Sequence, residues 1–161
     1  MSAHPDPDAT IIRPVIDTDL AVFFRHQLDP EASRMAVFPP RDEAAFMAHW
    51  QRVLQRPDST VRTVLADDGA VAGNVLAFEL DGTPLVGYWI GREYWGRGLA
   101  TRALQALLRE LPRRPLYAHV ASTNAGSIRV LEKCGFAVAG ERVVFDEALG
   151  AAIDEVVMEL R

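Results

Sequence analysis

At 161 residues the chain is long enough for one domain with a substantial core of its own. Its 17 basic and 22 acidic side chains leave a net charge of −5, which argues against a nucleic-acid surface. A lone cysteine, Cys134, excludes an intrachain disulfide and a cysteine-based metal cluster, and no apolar run reaches the roughly 18 residues of a membrane span. The acidic, proline-bearing N-terminus does not read as a signal peptide, so a soluble cytoplasmic protein that uses neither metal, membrane nor nucleic acid is expected.

Residues 1–9 hold Asp-Pro and Pro-Asp pairs without an apolar pattern and read as a flexible tail before a single domain over residues 10–161. Residues 10–15 form a short β-type run. Asp17 is an N-cap candidate for a helix to residue 28, with Leu20, Phe23, Phe24 and Gln27 or Leu28 on one face. Pro30, Pro39 and Pro40 bracket a short helical piece and a loop. Residues 41–55 are a further helix, with Ala45, Phe46, His49, Trp50, Val53 and Leu54 at helical spacing.

The middle of the chain is β. Residues 61–66 and 71–80 read as strands around Asp67-Asp68-Gly69, and residues 85–90 as a third after Asp81-Gly82. A helix over residues 98–111 then acts as a crossover to a strand at 116–120, which should lie parallel to residues 85–90. Residues 124–134 are a short helix ended by Gly135, and 137–145 with 153–160 a final strand pair. The principal order is β, α, α, β, β, β, α, β, α, β, β: an α/β fold with a mixed sheet of about seven strands and four helices.

Between the third central strand and its helix stands Tyr94-Trp95-Gly96-Arg97-Gly98-Leu99-Ala100-Thr101. Two glycines one residue apart clear side chains from the main chain, and the helix adds unpaired N–H groups and the positive end of its dipole. Leu99, Ala103, Leu104, Leu107 and Leu108 give that helix an apolar face. A site for a phosphorylated cofactor at residues 96–101 follows, with a merely tight turn as the plain alternative. A dinucleotide motif wants a third glycine where Thr101 stands, and a P-loop wants a Gly-Lys-Ser/Thr triplet the chain lacks.

The order of elements, the Trp95-Gly96-Arg97-Gly98-Leu99-Ala100 loop and the Asn124-Ala125-Gly126-Ser127 to Glu132-Lys133-Cys134-Gly135-Phe136 run resemble the GNAT superfamily of acetyl-CoA-dependent N-acyltransferases. Gly87-Tyr88-Trp89-Ile90 with these motifs is similar to the branch of ribosomal-protein N-terminal acetyltransferases. The resemblance covers about residues 10–160. It implies two central strands that splay apart, with acetyl-CoA as co-substrate in the gap. Its pantetheine arm would meet the backbone of Trp89, Ile90 and Gly91, with Asn124 opposite. The pyrophosphate would sit on the loop from Trp95 and Gly96 through Arg97, Gly98, Leu99, Ala100 and Thr101. Arg129 would either reach the phosphates or be a solvated surface arginine.

Three departures stand out. Glu93 opens the phosphate-loop signature where the family carries Gln or Arg. Leu131 stands where many members carry a tyrosine acid, and Leu85 where relatives often supply a glutamate base. Ser127 is therefore the candidate donor to the CoA sulfur and Glu79 the candidate base, against plain readings as a first-turn serine and a solvated strand-end carboxylate. His119 reads first as a packed or cleft histidine, and Cys134 as a small packed hydrophobe. Direct transfer without an acyl-enzyme is expected.

The acceptor is expected to be a primary amine, at a peptide N-terminus or on a small molecule, met by residues 28–41 and the last hairpin loop. Asp29, Glu31, Asp146 and Glu147 are acidic candidates there, and Phe38, Phe46 and Trp50 aromatic ones. A monomer or homodimer is expected. The competing reading is a non-catalytic acetyl-CoA sensor that kept the groove and lost its acid and base.

Overall fold

A computed structural model describes residues 11–161, so the tail expected at residues 1–9 lies outside the described residues. The elements are β1 (Ile12–Pro14), α1 (Asp17–Gln27), α2 (Pro30–Ala36), α3 (Glu43–Gln55), β2 (Thr60–Leu65), β3 (Val71–Leu80), β4 (Thr83–Ile90), a 3-10 turn (Arg92–Tyr94), α4 (Leu99–Glu110), β5 (Leu116–Ala121), α5 (Ala125–Lys133), β6 (Ala137–Asp146) and β7 (Ala151–Leu160). They match the expected mixed α/β order with one correction. The stretch after Pro30 is a helix in its own right, making five α-helices instead of four. Asp29 caps it by accepting from Glu31 N at 2.9 Å and Ala32 N at 3.2 Å, and Pro30 occupies a first-turn position where a missing N–H costs nothing.

The seven strands form one sheet in the order β1-β2-β3-β4-β5-β7-β6. All neighbours are antiparallel except β4 and β5, the pair joined through the α4 crossover. Register divides the sheet into two faces, because paired residues share a side. Val75, Val86, Ile90, Leu116, Ala118, Val120 and Met158 face α4 and α5, where Leu99, Ala103, Leu104, Leu107 and Leu131 close the larger core. On the other face Val61 and Leu76 pack against Leu20 and Phe23 of α1 and Phe46 and Trp50 of α3. The Phe23 and Trp50 rings lie 5.0 Å apart. Phe46 and Trp50, read earlier as candidate pocket walls, belong to this core and are buried.

The start of α1 corrects a second expectation. Its cap residue is Ile16, and the capping carboxylate is Asp19, not Asp17. Asp19 Oδ2 accepts from Ile16 N at 3.0 Å, from Arg13 Nη1 at 2.7 Å and from Thr63 Oγ1 at 2.7 Å. Burial alone would raise this carboxyl's pKa; Arg13, Ile16 and Thr63 outweigh it and hold the group below the usual carboxylate range. One buried charge thereby ties β1, α1 and β2 together.

Candidate active site

The site begins where the parallel pairing stops. β4 and β5 share one register pair, Leu85 with Tyr117, and beyond it towards their C-terminal ends they hold no further pair. Backbone groups on both strands are thus turned towards a gap. Gly91 N–H does not join them, because it donates to Ala72 O of the β3 side at 2.8 Å. Alternation then turns Ile90 towards β5, and its carbonyl accepts from the Trp95 indole Nε1 at 2.8 Å. Of the three residues expected to meet a pantetheine arm, Ile90 presents its N–H to the gap. Trp89 carries a buried indole N–H with no hydrogen-bond partner among the described residues, a donor that a ligand would satisfy.

At the open end of the gap the chain makes the 3-10 turn and then the glycine loop. Gly96 and Gly98 take φ of +77° and +73°, the left-handed region that other residues enter at a cost. A Cβ at either would meet no heavy atom within 4 Å, so the loop is open to solvent and not packed shut. The first helical bond of α4 runs from Arg102 N to Gly98 O at 3.1 Å. Leu99, Ala100 and Thr101 therefore present unpaired N–H groups, and the first turn carries no acidic residue. Arg97 lies over the Tyr94 ring, 5.5 Å from its centroid. Successive amides with a helix dipole behind them fit a pyrophosphate.

The opposite wall is α5. Asn124 caps it, its Oδ1 accepting from Ser127 N at 3.2 Å. Ser127 Oγ lies 2.6 Å from the Tyr88 hydroxyl, which also reaches the Ser127 carbonyl at 3.1 Å. Sequence reasoning missed Tyr88; its place in the Gly87-Tyr88-Trp89-Ile90 motif was the available signal. Burial, partly offset by Ser127, pushes the phenol up to about 12, so it keeps its proton at neutral pH. Arg129 is exposed further along α5. Burial raises the Cys134 thiol to about 11, which leaves it protonated and not nucleophilic.

Leu85 and Leu131 are 4 % and 1 % exposed, so both sites of the missing acid and base are packed with hydrocarbon. Glu79, the candidate base, stands elsewhere on the sheet. It pairs with Pro84, short of the Leu85–Tyr117 junction, on the face that carries Ala77 and Val86. There it binds Arg113 Nη1 at 2.5 Å, and the structure does not bring it to Ser127. Nor do the acidic loop residues converge. Asp29 caps α2 and faces Arg92 at 3.6 Å, Glu31 pairs with Arg34, and Asp146 accepts from Leu149 N at 3.0 Å. Phe38 does reach the gap's other side, 6.1 Å from the Trp89 ring.

A mixed seven-stranded sheet opened at one parallel pair, with a glycine loop feeding a helix at the open end, defines an acyltransferase architecture. The chain belongs to the GNAT acetyltransferase family, whose domain it matches over residues 10–137. Among proteins of curated function none matches it in sequence. Solved structures share its fold at low identity. The spermidine N-acetyltransferase of Vibrio cholerae, in complex with CoA and spermine, superposes with a TM-score of 0.77 at 19% identity, over 92% of this chain and 93% of that one. RimL, a ribosomal-protein α-N-acetyltransferase, gives 0.80 at 18% over 96% and 92%. A phosphinothricin acetyltransferase from Sinorhizobium meliloti, in complex with AcCoA, gives 0.74 at 18% over 94% and 88%. Among the described residues no helix is long and apolar enough to cross a membrane, and no group of three or more His, Cys, Asp or Glu could hold a metal ion.

Proposed function

We propose that the protein is an acetyl-CoA-dependent N-acetyltransferase that transfers the acetyl group directly to a primary amine, at a peptide N-terminus or on a small molecule. The observation that carries this reading is the gap beyond Leu85–Tyr117, with the open amides of residues 96–101 at its mouth. Acetyl-CoA supplies the activated acyl group as a thioester. Amides of Gly96, Arg97, Gly98, Leu99, Ala100 and Thr101 hold its pyrophosphate, and Ile90 and Asn124 hold the arm from either side. Ser127 donates to the departing sulfur, and Tyr88 fixes the Ser127 hydroxyl. A phenol held at about 12 is too weak an acid to protonate a thiolate, so this pair stabilises the leaving group by hydrogen bonding.

The motifs around Tyr88 and Asn124 favour the ribosomal-protein N-terminal branch, and an α-amino acceptor fits it. The buried leucines at 85 and 131 favour the alternative, a sensor that binds acetyl-CoA without turnover. Thiol release from acetyl-CoA against N-terminal peptides, amino acids, polyamines and aminoglycosides separates the two. Turnover with one class, lost in Asn124→Ala or Ser127→Ala, is expected. Tight acetyl-CoA binding with no turnover on the whole panel selects the sensor.

A further inference from the structure

The segment between α2 and α3 carries Phe38 to the gap and is held at three points. Val37 ends α2 in the left-handed region, at φ 51° and ψ 49°, a conformation that costs a β-branched residue energy. Phe38 N then donates to Ser33 O at 3.0 Å. Gln27, a buried side chain of α1, grips both backbone groups of Arg41. Its Nε2 donates to Arg41 O at 2.7 Å, and its Oε1 accepts from Arg41 N at 3.2 Å. Ser33 Oγ donates to Gln27 O at 2.7 Å and closes the set. A strained turn over-determined in this way fixes where Phe38 and Arg41 stand.

The Phe38 ring meets Trp89, centroids 6.1 Å apart, and the Arg41 guanidinium lies over it, 5.0 Å from the centroid. Arg41 is half-buried, and neither it nor Arg52 of α3 has a carboxylate partner among the described residues. Nearby acids are committed elsewhere: Glu31 pairs with Arg34, and Asp42 accepts from Ala45 N at 2.8 Å as the cap of α3. Burial first, and then Arg52, lower the pKa of Arg41; burial, Arg41 and Arg52 lower that of His49. None of these influences is a carboxylate. Arg41, His49 and Arg52 thus gather their charge with nothing to balance it, and the orphaned Trp89 N–H asks for an acceptor atom too. His119 adds nothing here, because Arg142 Nη1 lies 2.8 Å from its Nδ1 and occupies the ring from β6. Such a surface repels a polycation and attracts an anion.

We propose that the acceptor is an amine that carries a carboxylate, and that Arg41 pairs with this carboxylate at the Phe38 edge of the gap. This rests on the transferase reading above and narrows its substrate. The planar fork of a guanidinium suits the two carboxylate oxygens, and Arg52 and His49 add charge behind it. The Phe38 ring gives the carbon stem between amine and carboxylate an apolar rest. Arg41 is then a specificity residue. It holds the acceptor without touching the bond that forms, so it acts on KM and not on kcat.

The test measures thiol release at saturating acetyl-CoA with glutamate against glutaminamide, with an amidated Ser-Glu-Ala peptide against Ser-Gln-Ala, and with spermidine. The first pair reports a free acid and the second an acidic peptide. In at least one pair the carboxylate should lower the KM about 10- to 100-fold, and spermidine should be turned over poorly. Arg41→Gln should erase that difference by raising the KM of the acid, with kcat and the KM for acetyl-CoA unchanged. Arg41→Lys should keep part of it, because the charge stays and the fork is lost. Arg52→Gln should act in the same direction with a smaller effect. Equal KM values within both pairs, or a preference that survives in R41Q, overturn the proposal and leave the transferase reading standing. So does turnover of spermidine alone. A wild type that releases no thiol with any of these amines overturns both.

Discussion

The role proposed for Ser127 rests on one hydrogen bond, to the Tyr88 hydroxyl. Without Tyr88 the hydroxyl would be one of many that decorate helix starts; with the phenol 2.6 Å away its position is fixed. Ser127→Ala should lower kcat about 10²-fold with little change in the KM for acetyl-CoA, because the lost donor acts on charge that develops only during transfer. Tyr88→Phe should cost about 10-fold in kcat, near the net worth of one hydrogen bond, equally at pH 6 and pH 9 because the phenol stays protonated over that range. Steady-state kinetics check both. Asp19 works at the same scale for stability. Its carboxyl pKa lies below the ordinary value, so the stabilisation is present above about pH 4 and is lost as pH falls through the folded-state value. Asp19→Ala should lose about 2 kcal/mol at pH 7 and much less near pH 2, by denaturant titration; the figure is modest because Arg13 is 32% exposed and can turn to water.

The elements explain which parts were legible in advance. α4 was, because Leu99, Ala103, Leu104 and Leu107 repeat at helical spacing and all four are buried. The glycine loop was legible because positive φ at positions 96 and 98 demands the residue that stands there. Two glycines should respond in opposite ways. Gly98→Ala strains an exposed turn and should raise the KM for acetyl-CoA about 10-fold at a stability cost of about 1 kcal/mol. Gly73→Ala would put a Cβ 2.1 Å from Trp89 O, forcing β3 from β4, and should cost about 3 kcal/mol in a thermal or denaturant melt. What stayed hidden was register. Glu79 and Phe78 are neighbours in sequence, yet pairing with Pro84 and Leu85 sets them on opposite faces, and the carboxylate falls on the side away from Phe38. The Tyr88–Ser127 contact spans 39 residues and exists only because the α4 crossover folds α5 over β4. Asp29 and Glu31 looked like an acceptor field; local caps and arginines use them instead.

At the scale of the whole molecule, two helical layers pack on opposite faces of the sheet, β6 stays largely exposed at its edge, and β4 and β5 part beyond one register pair. The donor groups, the glycine loop and α5, gather on one side of this seam; Phe38 and Trp89 gather on the other. On the proposed reading, donor and acceptor approach the seam from opposite faces, which sets both reactants together for direct transfer. The most direct test is an amide hydrogen-exchange map with and without saturating acetyl-CoA. Slowed exchange confined to residues 90–101 and 124–127, with α3 and β6 unchanged, is the predicted footprint. Saturated binding that leaves those amides unprotected, or protects another surface, would contradict the account.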